Sequence, residues 1–174
     1  FSKLKSFEIT KFYRKKYNLS TYNAVIFNTE SIFRARSYLI PKICCAAIKS
    51  KKYNKKTKFG NINISREWNW CDEQVKYLLE FIKKEPQDFI LSNGKSFSAV
   101  QMLKFAYKYF NLDYKKYILF NNKRYLRSNE IIFNKSNKKC LKRNKINRIN
   151  KIFGEKIIKK LIEYYLKNKK VKNF

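Results

Sequence analysis

The sequence contains no histidine. Proton transfer near neutral pH must therefore fall to carboxylates, tyrosines, lysines or cysteines. The four cysteines, Cys44, Cys45, Cys71 and Cys140, form no Cys-x-x-Cys pair. Without imidazole to complete a tetrahedral set, a zinc site is not expected. With 44% hydrophobic residues there is ample material for a core. A disulfide scaffold is therefore not expected either, and reduced cytoplasmic thiols are the default. The three glycines, Gly60, Gly94 and Gly154, lie too far apart for a Gly-x-Gly-x-x-Gly or Walker loop. The chain thus carries no phosphate cradle of its own. Asn28 follows a short apolar run, which would put it at the C-terminal end of a strand, where α/β sheets place ligands. The alternative is a turn-forming Asn at a loop start. The carboxylates Glu67 and Asp72 have no partner set resembling a metal or triad site, and no chemistry is assigned to them.

The elements that must position such residues follow from periodicity. Residues 1–17 carry apolar positions at helical spacing (Leu4, Phe7, Ile9, Phe12, Tyr13). Residues 21–27 are apolar and β-leaning, a buried strand. Residues 28–37 read as a polar loop. Residues 38–50 read as a helix, with Pro41 near its first turn where it does little harm. Residues 53–58 form a charged connector to a short strand ending at Gly60. Residues 72–84 place Val75, Leu78, Leu79 and Ile82 on one helical face. Residues 88–91 form a strand, followed by Ser92-Asn93-Gly94 turn chemistry. Ser98 is a plausible N-cap for a helix with Met102, Leu103, Ala106, Tyr107 and Phe110 in a stripe. Tyr107, Tyr109 and Phe110 read as core packing, as does Trp68. Residues 117–120 form a strand. The last helix, residues 155–166, turns Ile157, Ile158, Leu161, Ile162 and Tyr165 inward. Strands alternating with helices argue for an α/β fold. The domain expectation is one unit over residues 1–166 and a basic tail over 167–174.

Charge is the other strong signal. Lys and Arg number 42 against 12 Asp and Glu, a net charge of +30. Such a field attracts nucleic acid or an anionic membrane. Lysine is spread along the whole length in a chain rich in Asn, Ile, Tyr and Phe, so compositional drift is the favoured reading. No apolar run reaches the roughly 18 residues of a membrane span. The sequence opens on Phe1-Ser2-Lys3, without Met and without a signal-peptide layout. The expectation is that it starts inside a longer gene product.

Four collinear segments carry a family resemblance. The first is Tyr13-Arg14, Tyr17 and then Asn23 to Ser31, continuing as Ile32-Phe33-Arg34-Ala35-Arg36 and Pro41-Lys42-Ile43. It resembles a strand ending in Phe-Asn-His-Glu-Ser, then Pro-Arg-Arg-Gly-Glu and a helix with Arg-Lys-Ile. The second, Gly60-Asn61, Arg66-Glu67-Trp68 and Val75, resembles Gly-Asn-x-x-x-x-Arg-Asp-Trp-Gly-His-Ala-x-Asp-Tyr-Val. The third, Pro86-Gln87-Asp88-Phe89, Gly94, Ser98 and Gln101, resembles Pro-Glu-Asp-Phe-Val, a following Gly and a Ser-x-x-Gln helix start. The fourth, Arg124 to Glu130, resembles Arg-Tyr-Phe-Arg-Pro-x-Glu. Each motif alone is weak, but the set at matching spacing is specific. It resembles the GDP-mannose 4,6-dehydratases, enzymes of the extended short-chain dehydrogenase/reductase type. The resemblance fades after Glu130, where Asn134-Lys135 replaces a Gly-Asp.

The resemblance implies the C-terminal part of a Rossmann-type fold with the small substrate-binding subdomain. It implies NADP as cofactor, GDP-mannose as substrate, and a homodimer or homotetramer for the complete enzyme, with neither membrane nor nucleic acid as partner. In register, Lys3 falls on the lysine of the family's Tyr-x-x-x-Lys pair, whose cation favours the phenolate and holds the nicotinamide ribose. An ordinary solvated lysine is the alternative. Thr29 stands where the family has a cofactor-touching histidine, and Arg34 matches a cofactor-contacting arginine. Arg36 replaces a glutamate and Ala35 a glycine in the same loop. Asn28 would touch sugar or phosphate. Lys42 and Arg66 match diphosphate-holding positions, Arg as a planar fork and Lys as a point charge; surface ion pairing is the alternative for both. Arg127 and Glu130 match the nucleotide end, where a carboxylate suits guanine N–H groups, although Ser128 replaces a proline.

The leading expectation is a piece of an NADP-dependent hydro-lyase, inactive alone, that keeps the sugar-nucleotide side. One alternative is a related NAD(P)-dependent nucleotide-sugar epimerase or dehydratase. Another, of a different class, is a decayed basic remnant that binds RNA, with the steep salt dependence of counterion release.

Overall fold

The computed structural model of the chain describes residues 1–60, 62, 64–120 and 151–168. Arg127 and Glu130 lie outside the described residues. Helix α1 (Ser2–Tyr17) leads into strand β1 (Asn23–Ile26), and β2 (Asn28–Glu30) follows almost at once. Helix α2 (Leu39–Tyr53) and strands β3 (Thr57–Phe59), β4 (Ser65–Arg66) and β5 (Trp68–Trp70) come next. Helix α3 (Cys71–Phe81), strands β6 (Asp88–Leu91) and β7 (Phe97–Ser98), helix α4 (Ala99–Lys108), strand β8 (Ile118–Phe120) and helix α5 (Glu155–Lys167) complete the order.

The strands pair in twos. β1 runs parallel to β6, β2 to β5 and β3 to β8, while β4 and β7 are antiparallel. Parallel pairs need a crossover between their strands, and here helices supply it, the signature of α/β folds. The expected loop over residues 28–37 is corrected at its start. Its first three residues form β2, because polar Asn28 and Thr29 find a ladder partner in β5 that local pattern could not reveal.

The main core is where α2, α4 and α5 pack. Helix α2 buries Ile40, Ile43, Cys44, Ala46, Ala47 and Ile48. Pro41 sits within its first turn, where no intrahelical N–H is needed. Helix α5 buries the five residues that periodicity assigned, Ile157, Ile158, Leu161, Ile162 and Tyr165. Each such aliphatic contributes about 1.5–3 kcal/mol of burial. Gly154 precedes α5 at φ 54°, and a Cβ there would stand 2.6 Å from the Phe97 ring. The position thus needs glycine for both conformation and space. Helix α4 starts on a reciprocal cap: Gln101 N donates to Ser98 Oγ (3.1 Å) and Ser98 N to Gln101 Oε1 (2.7 Å).

A smaller core of Tyr77, Phe81, Phe89 and Leu91 lies between α3 and β6. Here the apolar face read from sequence is only partly the packed one. Leu78 packs against this core, but Val75, Leu79 and Ile82 are about half exposed, and α3 buries Gln74, Tyr77 and Phe81. The helix presents aromatic Tyr77 and Phe81 to β6, with Phe81 stacked on Phe89 at 3.8 Å between ring centroids. Of the three aromatics assigned to the core, Tyr107 is buried, Phe110 is partly buried and Tyr109 is 40% exposed. Helix α1 buries no residue, and Leu4, Ile9, Phe12, Tyr13 and Tyr17 are exposed. Its anchor is polar: Arg14 and Asn23 both donate to Asp88 Oδ1, at 2.7 and 2.8 Å. Among the described residues no helix is long and apolar enough to cross a membrane.

Candidate functional site

The site forms where β2 leaves the sheet. Parallel pairing sets Asn28 opposite Trp68, Thr29 opposite Asn69 and Glu30 opposite Trp70. Trp68 and Trp70 are buried and fix β5 in depth, so β2 is fixed with it. Arg66, half-buried, ends β4 two residues before Trp68, opposite Phe97 of β7. Asn28 and Thr29 thus lie on β2 beside β5, and Arg66 lies on β4, which precedes β5 in the chain.

Arg34 is gripped on three sides. Its Nη1 donates to the Thr29 carbonyl (2.6 Å), its Nε lies 3.5 Å from Glu30 Oε2, and its guanidinium stacks 4.2 Å from the centre of the Tyr38 ring. The turn that allows this closes with Arg34 N donating to Ser31 O and Phe33 N to Ser31 Oγ. Glu30 is 1% exposed. Burial pushes its carboxyl from 4.5 up to about 7 even though Arg34 pulls it down. Sequence reasoning missed Glu30 as an electrostatic element. The signal was an acid four residues before the arginine.

Thr29 has a role of its own. Its hydroxyl donates to Gln74 Oε1 at 2.5 Å, and Gln74 is buried at the start of α3. The amide Nε2 of Gln74 has no hydrogen-bond partner among the described residues. A buried donor left open beside a strand end is a place where an acceptor gains full value.

A second buried acid, Glu67, is structural in effect. It accepts from Asn69 Nδ2 (3.0 Å), Ser92 Oγ (2.7 Å) and Asn93 N (2.7 Å). This ties the turn after β6 to the start of β5. Asp72 accepts from Trp70 Nε1, and Glu73 accepts from Lys151 N and Ile152 N. Lys42 lies on α2 with its ammonium 4.7 Å from the centre of the Phe59 ring. Lys3 is exposed in the first turn of α1. Cys44, Cys45 and Cys71 are free thiols.

A family model described as GDP-mannose 4,6 dehydratase matches residues 1–159. The chain belongs to the GDP-mannose 4,6 dehydratase family. It is 30% identical over 122 residues to GDP-mannose 4,6 dehydratase 1 of Arabidopsis thaliana, covering 68% of this chain and 33% of that protein. To the Drosophila melanogaster GDP-mannose 4,6 dehydratase it is 27% identical over 112 residues, 62% of this chain and 28% of the other. The chain therefore spans about a third of the length of these curated relatives. Among solved structures, the dTDP-glucose 4,6-dehydratase of Bacillus anthracis, in complex with NAD, superposes with a TM-score of 0.75 at 16% identity, covering 94% of this chain and 50% of that one. The UDP-N-acetylglucosamine 4-epimerase of Methanobrevibacter ruminantium gives 0.70 at 13% identity, covering 90% and 49%. These establish the fold expected from sequence, part of a Rossmann-type extended dehydratase or epimerase.

Proposed function

We propose that this chain is the sugar-nucleotide side of a GDP-mannose 4,6-dehydratase, a hydro-lyase that makes GDP-4-dehydro-6-deoxy-mannose when joined to a cofactor-binding half. The observation that carries the reading is the arrangement at the β2–β5 pair. Asn28 opens β2, Arg34 donates to the carbonyl of Thr29 in the same strand, and Arg66, on β4, precedes Trp68 of the paired strand by two residues. Family membership supports the substrate class. The exposed apolar residues of α1, together with Val25 and Ile26 of β1, offer the surface such a half would cover.

Each residue then has a task. Arg66, a planar fork on a fixed strand, pairs with the diphosphate, and Lys42 adds a point charge. Asn28 offers an amide to sugar or phosphate. Lys3 supplies the cation that favours a tyrosinate base. Arg34, pre-oriented by Thr29, Glu30 and Tyr38, contacts NADP. The open Gln74 donor beside Thr29 suits a carboxamide acceptor, so the residues present fit a nicotinamide group. When bound, that group supplies hydride acceptance at C4 and return at C6 around the loss of water. Arg127 and Glu130 would hold the guanine end.

The test is turnover. The 174-residue chain alone, given GDP-mannose and NADP, forms no 4-keto-6-deoxy product. Joined to the cofactor-binding half of a relative, it does. Catalytic turnover by the chain alone would sink the proposal.

A further inference from the structure

Lysine is spread along the chain, but the carboxylates that could offset it are not. Between Ser31 and Arg66 there is no Asp or Glu, whereas Glu67, Asp72, Glu73, Glu80, Glu85 and Asp88 crowd into the next segment. The fold turns this into a one-sided charge. Ser50 in the last turn of α2 hydrogen-bonds Tyr107 in the last turn of α4 (3.0 Å), so the two helices finish together. The parallel register of β3 and β8, with Thr57 opposite Ile118, sets Lys55 and Lys56 beside Lys115 and Lys116 as the two strands begin. Lys51 and Lys52 close α2 next to them. All six of these lysines, Lys51, Lys52, Lys55, Lys56, Lys115 and Lys116, are exposed. Among the described residues none of them makes an ion pair. At the same end a cavity of about 370 Å³ lies between α4 and α5, lined by Phe105, Tyr109, Lys108 and Lys156, with Glu155 as its acid.

Cations near a helix C-terminus have an ordinary explanation, since they offset the helix dipole. That demand is only about half a charge per helix. With Asp113 and Glu155 added, roughly three negative charges oppose the six lysines, Lys108 and Lys156, and an excess of roughly five positive charges remains. These repel one another unless an anion is laid across them. A single phosphate would answer only part of that excess; a chain of phosphates answers all of it. Tyr109, 40% exposed, adds an aromatic ring beside Lys108. A cationic track with a ring on which a base can stack is how unpaired strands are held. We propose that the end of the molecule where α2 and α4 finish is a docking surface for single-stranded nucleic acid, with the lysines of α2 and of the β3–β8 entry tracking phosphates and Tyr109 stacking on a base. A duplex keeps its bases from Tyr109, and a lipid surface offers phosphate without a ring. The surface shares no residue with Asn28, Arg34, Lys42 or Arg66 and does not require the dehydratase reading.

The experiment uses the full chain and short fluorescent oligonucleotides of mixed sequence, as RNA, DNA and duplex, read by anisotropy from about 50 to 200 mM salt. The expected result is saturable binding of the single strands, with log affinity falling against log salt at a slope of about −3.5, as for roughly five phosphates neutralised. The combined variant Lys55→Gln, Lys56→Gln, Lys115→Gln and Lys116→Gln brings the slope to about −1. Tyr109→Ala weakens binding about tenfold and leaves the slope unchanged. The combined variant Lys5→Gln, Lys15→Gln, Lys76→Gln and Lys83→Gln removes the same charge from exposed positions elsewhere and keeps slope and affinity. Circular dichroism verifies that each variant is folded. Binding of RNA and DNA alike supports contact through phosphate and base; preference for RNA supports it with the 2′-hydroxyl added. Equal loss in the two lysine variants, no effect of Tyr109→Ala, tighter binding of duplex, or tighter binding of phosphatidylserine vesicles than of either strand overturns the proposal.

Discussion

Replacing Glu30 with Gln should convert a pH-dependent stability into a flat one. Glu30 is buried at the end of β2, and its carboxyl titrates at about 7 instead of 4.5. Burial is the dominant cause, only partly offset by Arg34. The folded state therefore holds this proton more tightly than the unfolded chain. The group's stabilising contribution is complete below pH 4.5, falls as pH rises through about 7, and levels off above it. The distance between the two values corresponds to about 3 kcal/mol at most. Glu30→Gln keeps the shape, removes the charge and abolishes that loss. The assay is urea unfolding of both proteins between pH 4 and 8.5, on the order of two units either side of the folded titration. The variant's stability relative to the parent should climb by about 3 kcal/mol across that range. A constant offset from the weakened Arg34 contact is allowed. Parallel curves would refute the reasoning, because they would mean that Glu30 is charged in the fold at little cost.

Asp88 moves the other way. Burial raises its carboxyl, but hydrogen bonds from Arg14 and Asn23 and the charges of Arg14 and Lys11 lower it overall. Its contribution is present above the unfolded value and lost as pH falls through the folded one. Asp88→Asn should thus cost roughly 1–2 kcal/mol at pH 7 and nothing in strong acid, as measured by denaturation at the two pH values. Ile158→Ala, buried in the first turn of α5, should cost about 2–5 kcal/mol in urea unfolding through lost burial and the cavity left behind. Ser98→Ala removes one arm of the α4 cap and should cost about 1 kcal/mol by the same assay. Glu67→Ala leaves Ser92 Oγ, Asn93 N and Asn69 Nδ2 without their shared acceptor; amide exchange at Asn93 should rise by more than tenfold, in line with about 1.5–3 kcal/mol per charged hydrogen bond.

Much of this fold was written in local pattern. The five inward positions of α5 and the stripe of α4 follow a period of 3.6, and Ser98 with Gln101 states its own cap. The bounds of β6 match because Asp88 and the Ser92-Asn93-Gly94 turn bracket four residues. Local pattern failed where tertiary partners decide. Strand β2 exists because β5 lies beside it. Helix α3 turns Tyr77 and Phe81 to β6 and leaves Val75, Leu79 and Ile82 outward, because a stacked aromatic pair with Phe89 outweighs an aliphatic stripe. For the site, family spacing marked Asn28, Thr29, Arg34 and Arg66; the structure sets Asn28 and Thr29 on β2 opposite β5, Arg34 against the Thr29 carbonyl and Arg66 on β4. It could not mark Glu30 or Gln74, since these are defined by burial and proximity across elements, which no single stretch of sequence contains.

The central claim is that this chain recognises a GDP-linked sugar through Arg66 and its neighbours. Calorimetric titration of the chain with GDP-mannose, UDP-glucose and dTDP-glucose, repeated on Arg66→Ala, tests it most directly. The account predicts that GDP-mannose binds in preference to the other two and that Arg66→Ala weakens it by at least tenfold, about 1.4 kcal/mol. Equal affinity for all three sugars, or binding indifferent to Arg66, would contradict it.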